Sequence, residues 1–223
     1  MAEIALSTVV GALLWLDRVY AVQLLESRPV VIGPVLGSLM GNLPAGLAVG
    51  AALELLWLNA PPVGAYLPKD ESFCAAAVTP AAVLGAAYLP VASAAGLALF
   101  VGLPLSLVGR QLDTHLRKLN QDLVPAGVED IERTVGQAMA KALGRSLLYG
   151  LAALAISSAL LCTAVVLLAQ RLPAQAATAL SFLPMASVAI GLAGLVARDL
   201  PRPGKAGLFI LGAVFLLVLT WIR

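Results

Sequence analysis

Five stretches of 17 or more residues in this 223-residue chain contain no charged side chain, and their length is the strongest constraint on its fold. They cover residues 30–53, 73–109, 146–170, 176–197 and 206–222. A helix that crosses the hydrocarbon core of a bilayer needs about 20 consecutive apolar residues. Charged residues make up only 12% of the chain and hydrophobic residues 61%, too few polar side chains to cover a soluble globule. The sequence therefore predicts an all-α integral membrane protein and excludes disordered, nucleic-acid-binding and disulfide-rich secreted classes.

The last three of these stretches have the form of ordinary membrane-spanning helices. Arg171 and Pro173 separate the first from the second, and the segment 198–205 (RDLPRPGK) separates the second from the third. Charge combined with proline is typical of the end of a helix. We expect this half of the chain to form the scaffold.

The first half is interrupted far more often. Residues 4–16 are short for a span, and residues 73–109 leave room for two crossings. The stretch 30–53 predicts either one long kinked helix or two half-helices, because it is broken by Gly33, Pro34, Gly37, Gly41, Pro44, Gly46 and Gly50. Glycines four residues apart favour close packing of membrane helices. Short apolar segments broken by Gly and Pro indicate a transport site, so we place the function in this half.

Residues 110–145 form the most polar part of the chain, with six basic and five acidic side chains. Four leucines at helical spacing predict an amphipathic helix; they are Leu112, Leu116, Leu119 and Leu123. The sequence of residues 124–128 predicts a turn before a second helix. By the positive-inside rule this loop is expected on the cytoplasmic side of a single polytopic domain spanning 1–223.

Glu54 is the first candidate for a functional residue. It lies in GLAVGAALELLWL, with no other charge between Arg28 and Lys69. A carboxylate at the centre of a membrane helix costs about 2.5–3.5 kcal/mol on insertion scales, so it has to face protein or water. Carboxylates also accept strong hydrogen bonds from sugar hydroxyl groups. The alternative is a structural Glu paired with a neighbouring helix.

The remaining charged residues of the first half are weaker candidates. Asp70 follows a broken loop beside Lys69 and Glu71, and its local sequence favours an ordinary solvated loop. Two local pairs of opposite charge lie upstream, Asp17 with Arg18 and Glu26 with Arg28. We expect the members of each pair to neutralise each other at an interface.

No motif for covalent chemistry is present. His115 lies among charged residues and indicates a solvated surface side chain, while Cys74 and Cys162 indicate small buried hydrophobic side chains. We find no metal-ligand cluster, nucleotide loop or catalytic triad, and therefore expect no cofactor, no metal and no catalytic residue. The tryptophans fit interfacial belt positions; they are Trp15, Trp57 and Trp221.

Three consecutive segments resemble the IIC subunit of the mannose-family phosphotransferase system. Residues 16–42 (LDRVYAVQLLESRPVVIGPVLGSLMGN) are similar to the family's Leu-Asp, Arg-Pro and Gly-Pro-Leu-x-Gly…Gly-Asp stretch. Residues 43–58 (LPAGLAVGAALELLWL) are similar to its Thr-Gly-Leu-x-x-Gly-x-x-Leu-Glu signature, and residues 63–83 (VGAYLPKDESFCAAAVTPAAV) to its Gly-Ala-x-x-Pro-Pro-Asp segment. The chain departs from the family at Asn42, where Asp is usual, at Lys69, where Pro or a small residue is common, and at 59–62 (NAPP).

The resemblance implies a sugar transporter of the bacterial inner membrane that works as an oligomeric complex. Its partners would be a IID membrane subunit and cytoplasmic IIA and IIB proteins, with IIB phosphorylating a hexose-type sugar as it emerges. By position, Glu54 and Asp70 become the hydroxyl-binding carboxylates, with Asn59 and Lys69 as supporting residues. Residues 110–145 become a candidate docking face for partners.

Two other function classes remain open. A proton-coupled secondary transporter would use Glu54 as its coupling group and need no phosphoryl relay. A membrane scaffold without transport activity would tolerate changes at Glu54 and Asp70. The departures from the family pattern also leave room for a member whose specificity or activity has changed.

Overall fold

The computed structural model describes residues 2–19, 23–58, 67–123, 131–198, 201, 204 and 207. Regular structure in these ranges is entirely helical, which confirms the predicted all-α class. The α-helices are α1 (Ala2–Leu16), α2 (Pro29–Leu39), α3 (Leu43–Leu56), α4 (Glu71–Gly85), α5 (Val91–Gly102), α6 (Leu105–Asn120), α7 (Ile131–Ala169), α8 (Ala174–Ser181) and α9 (Leu183–Arg198). A 3-10 turn, Gln121–Leu123, follows α6.

Helix length separates the two halves of the chain as the sequence indicates. By length and composition, α7 and the run Ala174–Ala197 through α8 and α9 are each sufficient to cross a membrane. The pair α5 and α6, bent by 46°, adds a third candidate if it counts as one span. Helices α1 to α4 are apolar but shorter than a span. The predicted span 206–222 lies outside the described residues apart from Gly207.

Helix α7 extends further than the sequence pattern predicts. The expected second polar helix and the expected span 146–170 are one continuous helix of 39 residues. At 1.5 Å per residue it is about 58 Å long, whereas the hydrocarbon core is about 30 Å thick. The polar N-terminal end of α7 therefore projects beyond the membrane core.

The stretch 30–53 forms two helices, α2 and α3, and not one long kinked helix. Gly41, with φ of 75°, turns the chain between α2 and α3. The side chain of Asn42 then caps α3 by accepting a hydrogen bond from the Ala45 N–H at 3.1 Å. Asn and Asp are about equally good at this position, so the departure from the family pattern at Asn42 preserves the cap.

Four glycines bring α2 and α3 into backbone contact, as the spacing predicts. A Cβ added at Gly33 would lie 2.8 Å from the Cα of Gly50, and one at Gly46 would lie 2.9 Å from the Cα of Gly37. Such distances are too short for any side chain. The hairpin therefore depends on glycine at this interface.

Helix α4 is the centre of the bundle and contacts α1, α2, α3, α5, α6 and α7. Its sequence, ESFCAAAVTPAAVLG, consists largely of small residues, and twelve of its fifteen residues are buried. Small side chains allow neighbouring helices to approach closely. The N-terminal end of α4 is consequently held at a fixed position by all the surrounding helices.

We expect Gly46→Ala to destabilise the protein, because its Cβ would overlap the backbone of α2. Overpacking of this kind costs typically about 1–3 kcal/mol. The measurement is the melting temperature in mild detergent. Gly136→Ala is the matched control, since a Cβ on that helical glycine meets nothing within 4 Å. Equal melting temperatures for the two variants would contradict the close contact.

Candidate functional site

Five charged residues from separate parts of the sequence meet at one end of the first-half helices. At this end, the C-terminal ends of α1 and α3 lie beside the N-terminal ends of α2 and α4. We call this group the charged cluster; it consists of Arg18, Arg28, Glu54, Asp70 and Glu71.

Asp70 is the buried part of the cluster and both of its carboxylate oxygens are engaged. Oδ1 accepts a hydrogen bond from the Phe73 N–H at 2.9 Å, which caps α4, and lies 2.6 Å from Nη1 of Arg18. Oδ2 accepts from Nε1 of Trp15 at 2.8 Å. The backbone N–H of Asp70 donates to the carbonyl of Ser106 at 2.9 Å. With its side chain 1% exposed, Asp70 joins α1, α4 and α6.

Trp15 corrects a prediction from the sequence, because it does not lie in an interfacial belt. It is 2% exposed and packs edge-on against Phe73 with ring centroids 6.4 Å apart. An added Cβ at Gly150 of α7 would collide with its ring. The indole N–H satisfies the buried carboxylate of Asp70, which explains why an amphipathic side chain is buried here.

The more accessible part of the cluster is organised by Arg28. Its Nε donates to Oε1 of Glu54 at 2.9 Å and its Nη2 pairs with the same oxygen. Its Nη1 donates to Oε1 of Glu71 at 3.2 Å. The side chains of Glu54 and Glu71 are 15% and 19% exposed. One guanidinium thus holds two partly exposed carboxylates, one from α3 and one from α4.

Asp17 holds part of the chain just before α2 in place. Its carboxylate accepts hydrogen bonds from the N–H groups of Leu24 at 2.8 Å and Ser27 at 3.4 Å. Burial raises the pKa of Asp17, but these backbone hydrogen bonds outweigh it and the pKa is lowered overall. Gln23 and Leu25 adopt positive φ angles in this segment. These contacts hold Arg28 at the start of α2.

The predicted local pairs Asp17–Arg18 and Glu26–Arg28 are therefore wrong. The carboxylate of Asp17 is used by backbone N–H groups, and Glu26 is exposed. The two arginines instead bind carboxylates 26 to 52 positions away in the sequence, which are Glu54, Asp70 and Glu71. Buried charges require partners, and the three carboxylates downstream, with only Lys69 as a nearby cation, are the sequence signal for these longer-range pairs.

The structure places three of the four predicted site residues in different surroundings. Glu54 and Asp70 both belong to the charged cluster. Among the contacts of the described residues, none joins these two side chains directly. The side chain of Lys69 is exposed, and its carbonyl lies 3.5 Å from an N–H of Arg18. Asn59 lies outside the described residues. Within the described ranges, no group of three or more His, Cys, Asp or Glu side chains is placed to hold a metal ion.

Comparison with known proteins identifies the family. The model described as "PTS system sorbose-specific iic component" matches residues 1–221. The chain belongs to this family. A curated relative from Escherichia coli (strain K12), "Putative N-acetylgalactosamine permease IIC component 2", is 40% identical over 43 residues. That alignment covers 19% of this chain and 32% of the relative, so it spans about a third of the relative's length.

Two solved structures share the fold. One, described as "Structure of membrane protein", has a TM-score of 0.69 and 17% identity, and covers 100% of this chain and 92% of the other. The second is a complex of the mannose transporter ManYZ with microcin E492, with a TM-score of 0.55 and 18% identity, covering 97% and 86%. At these identities the likeness shows the fold alone, which confirms a membrane helical bundle with broken helices.

We expect Asp70→Asn to destabilise the protein strongly, because Arg18 would lose its carboxylate. Removing one partner of a buried ion pair costs roughly 3–5 kcal/mol, and the lower end applies because the side chain of Arg18 is 18% exposed. Thermal unfolding in detergent measures the effect. Asp122→Asn, the same change at an exposed position, is the control and leaves the melting temperature unchanged. A wild-type melting temperature for Asp70→Asn would contradict the structural role of this ion pair.

Proposed function

We propose that the chain is the sugar-translocating IIC subunit of a phosphoenolpyruvate-dependent phosphotransferase system in the bacterial inner membrane. The observation that supports this most directly is a partly exposed carboxylate, Glu54, at the end of a glycine-packed helical hairpin in a chain of this family. Its substrate is a hexose-type sugar, which the IIB partner phosphorylates.

Glu54 is the residue we assign to the sugar hydroxyl groups. Oε1 of Glu54 binds Arg28. Among the contacts of the described residues, Oε2 of Glu54 accepts only one hydrogen bond, a long one of 3.4 Å from the backbone N–H of Val30. Oε2 therefore has capacity for a hydroxyl donor. A hydrogen bond to an ionised acceptor is about twice as strong as a neutral one, so a carboxylate at this position binds a hydroxyl group more strongly than an amide would.

Asp70 contributes to the proposed site through its neighbours. A direct contact with the sugar would require its bonds to Trp15 and Arg18 to open, since both oxygens are engaged in this conformation. We assign to Asp70 the positioning of Arg18 and of the start of α4. Lys69, whose side chain is exposed beside the cluster, and Asn59 are proposed as supporting contacts.

The proposed mechanism is alternating access. The short helices of the first half move against the longer helices of the second half, while IID completes the membrane complex. IIA and IIB relay phosphate, and phosphorylation by IIB on the inner side traps the sugar and gives the transport its direction. This chain supplies binding and passage and no covalent step. The segment 110–145, with its six basic side chains, is expected to face the cytoplasm.

We expect Glu54→Gln to reduce phosphoenolpyruvate-dependent sugar uptake about ten- to a hundredfold, because one charge-assisted hydrogen bond is worth about 1.5–3 kcal/mol. Uptake is measured in membrane vesicles that contain the IID, IIA and IIB partners, with the amount of inserted protein determined alongside. Glu26→Gln is the matched control, since Glu26 is exposed and lies outside the charged cluster. Normal uptake by the Glu54→Gln variant would contradict the assignment.

The same vesicles separate the alternative functions. A proton-coupled transporter would lose uptake when an uncoupler is added and would not respond to phosphoenolpyruvate. A scaffold without transport activity would show no sugar uptake under either condition. We expect uptake that requires phosphoenolpyruvate and persists in the presence of the uncoupler.

A further inference from the structure

We propose that Glu71 is a second carboxylate that contacts the translocated sugar, and that Arg28 sets the spacing between Glu54 and Glu71. This inference rests on the proposed function, because it concerns the same ligand. It adds a contact residue and a positioning residue that neither the sequence pattern nor the family match assigns.

Accessibility distinguishes Glu71 from its neighbour in the sequence. The side chain of Asp70 is 1% exposed and that of Glu71 is 19% exposed, close to the 15% of Glu54. Asp70 is the N-cap of α4 and points into the bundle, whereas Glu71 begins the helix and faces Arg28. Of these two adjacent carboxylates, Glu71 is the one that a ligand can reach without breaking the helix cap.

Free acceptor capacity supports the same assignment. Arg28 uses Oε1 of Glu54 and Oε1 of Glu71. Among the contacts of the described residues, Oε2 of Glu71 has no hydrogen-bond partner, and Oε2 of Glu54 has only the long bond from Val30. Because both carboxylates bind one planar guanidinium, Arg28 fixes their relative position, and we expect their free oxygens to accept from two hydroxyl groups of one sugar ring.

The charges of this network indicate which ligands the site accepts. Arg28 carries one positive charge and binds two carboxylates, while the pair of Arg18 and Asp70 is balanced. Arg28, Glu54 and Glu71 together therefore carry one surplus negative charge, which disfavours an anionic ligand in contact with these side chains; the exposed side chain of Lys69 carries a positive charge outside this group. Neutral hydroxyl-rich sugars are accepted and sugar acids are disfavoured. A phosphorylated sugar carries about −1.5 to −2 charges, so the same surplus favours release of the product.

The test measures equilibrium binding to the purified complex of the full chain with its IID subunit. The probes are mannose, sorbose and N-acetylgalactosamine, and the 6-phosphate of whichever sugar binds. We expect Glu71→Gln to weaken binding of that sugar about tenfold, the effect of one lost charge-assisted hydrogen bond. We expect it to strengthen binding of the sugar phosphate relative to the sugar. Glu26→Gln leaves both affinities unchanged.

Arg28→Lys tests the positioning role. Lysine keeps the positive charge but cannot hold two carboxylates with a planar fork. We expect weaker sugar binding at an unchanged ratio between sugar and sugar phosphate, because the net charge is the same. A purely structural role for Arg28 would lower the melting temperature and leave the affinity of the folded fraction intact.

The outcomes separate this inference from the proposed function. Loss of binding in Glu54→Gln with wild-type affinities in Glu71→Gln overturns the role of Glu71 and leaves the proposed function standing. Wild-type protein that binds none of the probe sugars counts against both. Glu71→Asp serves as the rescue variant, and it restores the discrimination against sugar phosphate because it restores the charge.

Discussion

The buried carboxylate of Asp70 is the interaction on which the other parts of this structure depend. It caps α4, binds the indole N–H of Trp15 from α1 and pairs with Arg18, while its backbone N–H binds α6 through Ser106. A buried charge without partners is very costly, so these contacts hold α1, α4 and α6 in the observed arrangement. Gly109 shows how close the fit is, because an added Cβ there would lie 2.6 Å from the Cβ of Asp70.

The other part of the charged cluster is more accessible than Asp70. Arg28, Glu54 and Glu71 are partly exposed, and their hydrogen-bonding capacity is incompletely used. A site that binds and releases a ligand needs acceptors that are free in its absence, whereas a site that fixes a fold needs all of them occupied. In the proposed site, the adjacent residues Asp70 and Glu71 divide these two tasks, because Asp70 is enclosed as the N-cap of α4 whereas Glu71 is partly exposed and contacts Arg28.

Several features of this arrangement were predictable from the sequence, and the reasons are local. Glycines at four-residue spacing predict the contact between α2 and α3, since only glycine allows backbones so close. The isolation of Glu54 in an apolar stretch predicts that it faces protein or water. The local pairing of Asp17 with Arg18 and of Glu26 with Arg28 failed, because the partner of a buried charge is chosen by the packing of helices and not by distance along the chain.

The sequence by itself determined the membrane class, the division into a broken first half and a longer second half, and Glu54 as an unusual charge. Each follows from composition or from the period of a helix, which are properties of neighbouring residues. The tertiary structure alone decided that α1 to α4 bring five charged side chains to one end. It also decided that Asp70 is enclosed while Glu71 remains accessible, because burial depends on which helices surround a residue.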